Sequence, residues 1–344
     1  MDAALAAAHN LVGITLPSGW RIVAKKERRE TDTGGCFSVS YHVENGNGEK
    51  AFMKVLNLAM ALAQQGDTLK NIEQLIAQFN FERSTLDVCG QFRLRRVAAA
   101  IEHGKLDIPG NPFGVYYIIF EMATGDIRRH LEDSDEVSMA WLLRSLHQSA
   151  SGVWQLHRRR ISHQDVKPSN VLFFDNDGAK IADLGCADIE GGQSPRGVFQ
   201  VAGDASYAPP ELLYGEVPTN WEARRLGADM YLFGSLITFV TAQVSMTSAI
   251  MAKLHPQHRY GIWPHGYRTV LPYVRNAFGE VMAEVRSEFP EWLRPELSLL
   301  IEQLCEPDPN IRGNPKDLGA SRFSFERCVS ILNRLATAAE HKLT

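Results

Sequence analysis

The hydrophobic pattern of the chain changes near residue 125, with short alternating runs before it and longer helical periods after it, so two lobes of different class are expected. Upstream, Trp20 to Val23, Cys36 to Val43, Ala51 to Leu56, Arg96 to Ile101 and Val115 to Phe120 are rich in β-branched and aromatic residues. Turns such as Asn45-Gly46-Asn47-Gly48 separate them, which predicts a small, mainly antiparallel sheet. One helix interrupts the strands. It starts near Asp67, an N-cap residue type, and carries an apolar stripe through Leu69, Ile72, Leu75, Ile76, Phe79 and Leu86. Glu82 falls on that stripe, about 60° from Phe79, whereas Glu73 lies about 120° away on the polar side. A carboxylate on a buried face calls for a cation; the alternative is a helix end frayed into solvent by residue 82.

Downstream, Trp141 to Leu156 is amphipathic and ends in the basic run His157-Arg158-Arg159-Arg160. Such a run is read as a solvated helix end, since cations suit a helix C-terminus. Ala228 to Val244 is apolar almost all round and is expected at the centre of a helical lobe.

Composition excludes several classes. The 344 residues suffice for two or three packed units. Lys+Arg 36 against Asp+Glu 40 gives a net charge of -4, so no global positive field gathers nucleic acid or an anionic membrane. Five scattered cysteines without CxxC spacing argue against a disulfide framework and a zinc site. The N-terminus lacks a signal-peptide pattern, and the most apolar stretch, Met230 to Val244, is interrupted by polar residues and too short to span a bilayer. A cytoplasmic location is expected.

The segment from Ile161 to Asp183 carries the chemistry. Val171 to Phe174 and Ala179 to Ile181 flank the turn Asp175-Asn176-Asp177-Gly178, predicting a hairpin. If Phe174 pairs with Ala179, the register sets Asn170 opposite Asp183. An amide oxygen and a carboxylate then share the hairpin's open end, with Asp165 and Lys167 just before it. This set suits Mg²⁺, which takes one or two protein oxygens and completes its octahedron with water and phosphate oxygens. Asp165 is free to orient or deprotonate a hydroxyl, and Lys167 to neutralise a transferring phosphoryl group. Taken singly, each residue is more simply a turn cap.

His163-Gln164-Asp165-Val166-Lys167-Pro168-Ser169-Asn170 and Asp183-Leu184-Gly185 resemble the catalytic and metal-binding loops of the eukaryotic-type (Hanks-type) serine/threonine protein kinase family. The resemblance runs from about residue 20 to about 335. It implies that Asp165 and Lys167 are catalytic, that Asn170 and Asp183 bind Mg²⁺ (or Mn²⁺), and that Lys54, in Ala51-Phe52-Met53-Lys54, holds the ATP phosphates. Glu82 becomes the glutamate that orients Lys54. Gly34 and Gly35 belong to the phosphate-covering loop, Phe120 stands at the gatekeeper position, and the backbone of Glu121 and Ala123 faces adenine. Glu211 pairs with Arg312, and Asp229 anchors the buried helix to the catalytic loop. The implied fold is α+β and bilobal: an N-terminal extension over 1–19, a β-rich lobe with one helix over 20–120, a hinge over 121–125 and a mainly helical lobe over 126–340. ATP-dependent phosphorylation of a protein substrate on Ser or Thr follows, with autophosphorylation, and with no nucleic acid or membrane partner. The kinase-like region nearly fills the chain, so control is expected from a regulatory partner or from the first twenty residues.

Three departures mark the chain. Thr33-Gly34-Gly35-Cys36-Phe37-Ser38 keeps little of the glycine-rich loop. Gln164 replaces the arginine that reads a phosphorylated activation loop, so gating of that type is not expected. Asp204 stands where a threonine is usual, able to bond Lys167 while adding like charge near Asp165. They motivate a second hypothesis, a nucleotide-binding pseudokinase or scaffold. A third, a small-molecule phosphotransferase, fits the same Asp and Asn but not the Gly203 to Glu211 segment.

Overall fold

A computed structural model describes residues 6–27, 38–109, 111–134, 136–316 and 322–343. The chain divides into two compact units, Met1–Thr124 and Gly125–Thr344.

The first unit is a five-stranded antiparallel sheet, β1 (Arg21–Lys25), β2 (Ser38–Glu44), β3 (Lys50–Leu56), β4 (Ala100–Leu106) and β5 (Val115–Glu121), in the order β1-β2-β3-β5-β4. Alternation sorts β3 into two faces. Ala51, Met53 and Val55 are fully buried on one, while Phe52 and Lys54 point to the other. The turn joining β2 to β3 is held by Asn45, whose Oδ1 accepts from the N–H groups of Asn47 and Glu49, both at 3.0 Å.

The face carrying Met53 is covered by the segment before β1. Ala8, Leu11, Leu16 and Trp20 join one core with Ile22, Tyr41 and Val55, and the Tyr41 hydroxyl donates to Ala8 O at 2.6 Å. Residues 6–19, set apart by sequence as an extension, thus complete the core of the sheet. Leu11 is 0% exposed; Leu11→Ala is expected to destabilise this unit by about 2–5 kcal/mol, read as a lowered urea midpoint.

Helix α1 (Thr68–Gln91) starts at Asp67, whose carboxylate accepts from Leu69 N–H at 2.9 Å. Ile72, Leu75, Phe79, Glu82 and Leu86 are buried as the stripe requires, and Phe79 meets Tyr116 of β5 at 5.7 Å between ring centroids. Of the other stripe residues, Ile76 is half-buried and Leu69 is 57% exposed in the first turn. Strand β4 also departs from expectation, running Ala100–Leu106 and not Arg96 to Ile101. It is an edge strand whose Glu102, His103 and Lys105 hide the apolar alternation, and a bulge between Ala100 and Glu102 leaves Ile101 51% exposed.

The second unit opens with β6 (Gly125–Asp126), α2 (Ile127–Asp133) and α3 (Met139–His157), followed by the strands β7 (Ile161–Ser162), β8 (Val171–Phe174), β9 (Gly178–Ile181) and β10 (Asp188–Ile189). Then come α4 (Gly227–Ala242), α5 (Met246–Lys253), α6 (Tyr267–Glu288), α7 (Arg294–Cys305) and α8 (Glu326–Leu343). Helix α4 is the central helix: it is buried from Gly227 through Thr238. Helix α8 packs along α3, where Arg144 makes a bidentate pair with Glu340 at 2.8 and 2.7 Å. Among the described residues no single helix is long and apolar enough to cross a membrane.

The basic run closing α3 is solvated only in part, with Arg158 and Arg159 exposed. His157 is buried, and Arg160 pairs with Glu190 and Glu222 at 2.5 and 2.6 Å. The β8–β9 hairpin is one residue tighter than expected. Phe174 pairs with Gly178 and Val171 with Ile181, so Asn170 falls opposite Ala182, whose N–H donates to Asn170 O at 2.9 Å. Gly178 at φ +70° takes the left-handed position a three-residue turn needs, which brings it into the ladder.

Candidate active site

In the first unit, Lys54 Nζ donates to Glu82 Oε1 at 2.7 Å. The glutamate is 5% exposed, so periodicity put a carboxylate into the interior and β3 supplies the cation that makes its burial tolerable. Glu121 pairs with Ala51 across β3 and β5; its carboxylate accepts from Ala99 N–H at 2.8 Å, and its own N–H donates to Ala99 O at 3.2 Å. Phe120 is half-buried opposite Phe52, and Ala123 is half-buried just past β5. Thr33 to Phe37, including Gly34 and Gly35, lie outside the described residues.

In the second unit the loop after β7 is built around Asp229 of α4, which is 0% exposed. Its Oδ2 accepts from His163 N–H at 2.7 Å and from His157 Nε2 at 2.8 Å. Its Oδ1 accepts from Gln164 N–H at 2.7 Å and Gln164 Nε2 at 3.0 Å. Four donors on one buried carboxylate leave the loop little freedom. His163 is oriented at both nitrogens, accepting from Asp165 N–H at 3.2 Å and donating to Ala182 O at 3.0 Å.

This anchoring presents Asp165, Lys167 and Asn170 to one another. Lys167 Nζ lies 3.0 Å from Asp165 Oδ2 and 3.6 Å from Asp204 Oδ2. Asn170 Nδ2 donates to Asp165 O at 2.8 Å and to Asp165 Oδ2 at 3.0 Å, which turns its amide oxygen the opposite way. Asp204 N–H donates to Asp165 Oδ1 at 2.9 Å. Asp183 follows β9 in the left-handed region, φ 65° and ψ 78°, and caps a single turn over Leu184–Cys186. Gln164, at φ 64°, is left-handed too. Two such residues around one loop store strain of about 1–3 kcal/mol each, a pattern that gathers at functional sites.

Burial pushes the Asp165 carboxyl up, Lys167 draws it back, and the negative charge of Asp183 raises it again. The backbone N–H of Asp204 lowers it. For Lys167, burial acts downward but Asp165, Asp204 and Asp183 together leave it above the ordinary lysine range. Cys186, pushed up to about 12 by burial and by Asp165, is an inert thiol.

Sequence reasoning missed Gly203. A Cβ there would lie 2.5 Å from Asp165 Oδ1 and 2.5 Å from Gln164 O, so only glycine lets the backbone approach closely enough for Asp204 N–H to reach Asp165. Gly203→Ala is expected to lower turnover at least about tenfold, ~1.4 kcal/mol, without weakening nucleotide binding, as steady-state kinetics and titration would show.

Among the described residues no group of three or more His, Cys, Asp or Glu side chains is arranged to hold a metal. Asn170 and Asp183 offer an amide oxygen and a carboxylate, hard donors that suit Mg²⁺ when phosphate oxygens complete the shell.

A family model described as the protein kinase domain matches residues 35–324. The chain is similar to chitin elicitor receptor kinase 1 of Arabidopsis thaliana, 30% identical over 145 residues, covering 40% of this chain and 22% of that protein. It is 30% identical over 130 residues to the calcium and calcium/calmodulin-dependent serine/threonine-protein kinase DMI-3 of Medicago truncatula, covering 37% and 24%. It is 31% identical over 113 residues to the serine/threonine-protein kinase-transforming protein mos of myeloproliferative sarcoma virus, covering 32% and 30%. The matched stretches thus span less than a third of those relatives' own length. The antiparallel sheet with its helix and the mainly helical unit are the two lobes of the bilobal kinase fold. With a matching family model over most of its length, and with the loop after β7 anchored to its central helix, the chain belongs to the protein kinase family.

Proposed function

We propose that this protein transfers the γ-phosphoryl group of ATP to serine or threonine hydroxyls of a protein substrate, and to its own. The observation that carries this reading is the buried cluster of Asp165, Lys167 and Asn170. Asp165, restrained at both carboxylate oxygens, orients the acceptor hydroxyl. As that oxygen bonds to the γ-phosphorus and the bond to the β–γ bridging oxygen breaks, Asp165 receives the hydroxyl proton and ADP leaves. Lys167 stands beside Asp165 to stabilise negative charge on the transferring group. Asn170 and Asp183 are the ligands for Mg²⁺, which when bound neutralises phosphate charge. Lys54, fixed in direction by Glu82, is the phosphate-contacting cation of the first lobe. Serine/threonine specificity draws support from the names of the relatives.

We place the protein in the cytoplasm, in line with the free thiols of Cys89, Cys186, Cys305 and Cys328.

The test is incubation of purified protein with Mg²⁺, γ-labelled ATP and a generic protein acceptor, beside Asp183→Ala and Lys54→Met variants, with phosphosites mapped by mass spectrometry. Label on serine or threonine from the wild type alone supports the reading. No label despite tight nucleotide binding would replace it with a scaffold.

Activity is independent of an activation-loop phosphate. Gln164 is buried, and the Ser194 hydroxyl already donates to Ala187 O at 2.8 Å. Ser194→Ala is expected to keep activity within about twofold; a loss above about tenfold, ~1.4 kcal/mol, would refute the claim.

A further inference from the structure

Arg225 is among the largest fully buried side chains of the described residues, is 1% exposed, and takes no part in the chemistry above. It lies in a π turn, Glu222–Leu226, that leads into α4. Its contacts reach three separate stretches of chain. Its guanidinium pairs through Nε with Asp188 Oδ2 of β10 at 2.6 Å. Nη1 donates to Gln164 Oε1 at 3.1 Å, and Gln164 Nε2 donates back to Arg225 O at 2.8 Å. Nη2 donates to Gly197 O at 2.7 Å. Neighbouring Arg224 adds bonds to Gly197 O at 2.9 Å and Phe199 O at 3.1 Å.

A guanidinium withdrawn from water must keep its charge and its donors matched, because it does not escape by losing a proton. Moving residues 188–199 away would strand that cation in the interior. Phosphorylation orders segments of this kind by setting an anion against an arginine. Here the anion is Asp188, already part of the chain.

We infer that Arg225 is a positioning residue: it fastens residues 188–199 to the catalytic loop through Asp188, Gln164 and Gly197, and so keeps the downstream Asp204 N–H on Asp165 without a phosphate. The inference deepens the phosphoryl-transfer reading and rests on it. It also assigns Gln164 a part, since its amide spans Arg225 and Asp229 and relays the position of α4 to the residue before Asp165.

The experiment compares wild type with Arg225→Lys, Arg225→Met and the double variant Arg225→Met/Asp188→Leu. Removing both charges together avoids an unpaired buried ion, so the double variant is expected to fold even where Arg225→Met fails. Hydrogen exchange of the amides of 187–202 is read by mass spectrometry, beside kcat and the KM for ATP. In the double variant those amides are expected to exchange at least about tenfold faster, with the interior of α4 unchanged. Its kcat is expected to fall at least about tenfold while KM for ATP stays within about twofold, with Arg225→Lys between it and wild type. Phosphatase-treated wild type should keep both protection and activity. Wild-type exchange and turnover in the double variant would overturn the inference, as would release of the segment by phosphatase treatment. Failure of wild type to transfer phosphate at all would instead overturn the functional reading, and the exchange measurement alone would then decide Arg225.

Discussion

Asp165→Asn is expected to lower the rate constant for phosphoryl transfer by about 10³-fold, ~4 kcal/mol, while nucleotide affinity stays within about twofold. The carboxylate receives Asp204 N–H on Oδ1 and Lys167 Nζ and Asn170 Nδ2 on Oδ2, every one a donor. An amide of the same shape can satisfy only one side of that arrangement; its own NH₂ must face either a backbone N–H or an ammonium group. It also cannot accept a proton at neutral pH. The two losses act at the same step, so the effect belongs in kcat and not in the KM for ATP. Single-turnover kinetics with labelled ATP, next to a nucleotide titration and a circular dichroism spectrum, measures it. A variant within tenfold of wild type would remove Asp165 from the reaction.

Arg312→Ala should destabilise the second lobe by about 3–5 kcal/mol, seen as a lowered urea midpoint, because it leaves Glu211 as an uncompensated buried charge. The pair is bidentate, at 2.6 and 2.7 Å, with side-chain exposures of 0% and 2%. Arg312 also donates to Glu306 O at 2.9 Å and lies over the Tyr231 ring at 5.0 Å, so truncation loses packing as well as charge. The double variant Arg312→Met/Glu211→Leu, with both charges gone, is expected to recover more than half of the loss. A double variant as unstable as Arg312→Ala would show that packing and the carbonyl contacts, not the ion pair, hold this corner together.

The parts of this protein that were legible in sequence are those set by local periodicity or by a short motif. Counting residues along one helix puts Glu82 on a buried stripe, and the lack of a polar face marks α4 as central. The spacing from Asp165 to Asn170 suffices to let a side-chain amide return to its own loop. Strand β4 was misplaced because an edge strand needs only one apolar face and a bulge breaks even that alternation. The hairpin register failed by one residue because Asp175-Asn176-Asp177-Gly178 is compatible with more than one turn, and the backbone angle of Gly178 chooses among them.

The two-lobe division, the helical stripe, the family and the residue types at the site are all readable along the chain, since each is written in sequence neighbours. The long-range contacts that no motif announces come from the fold alone. Arg225 reaches Gln164 across 61 positions, and Asp204 approaches Asp165 across 39. A buried charge is stable only where the fold brings its partner, and that pairing has no local signature.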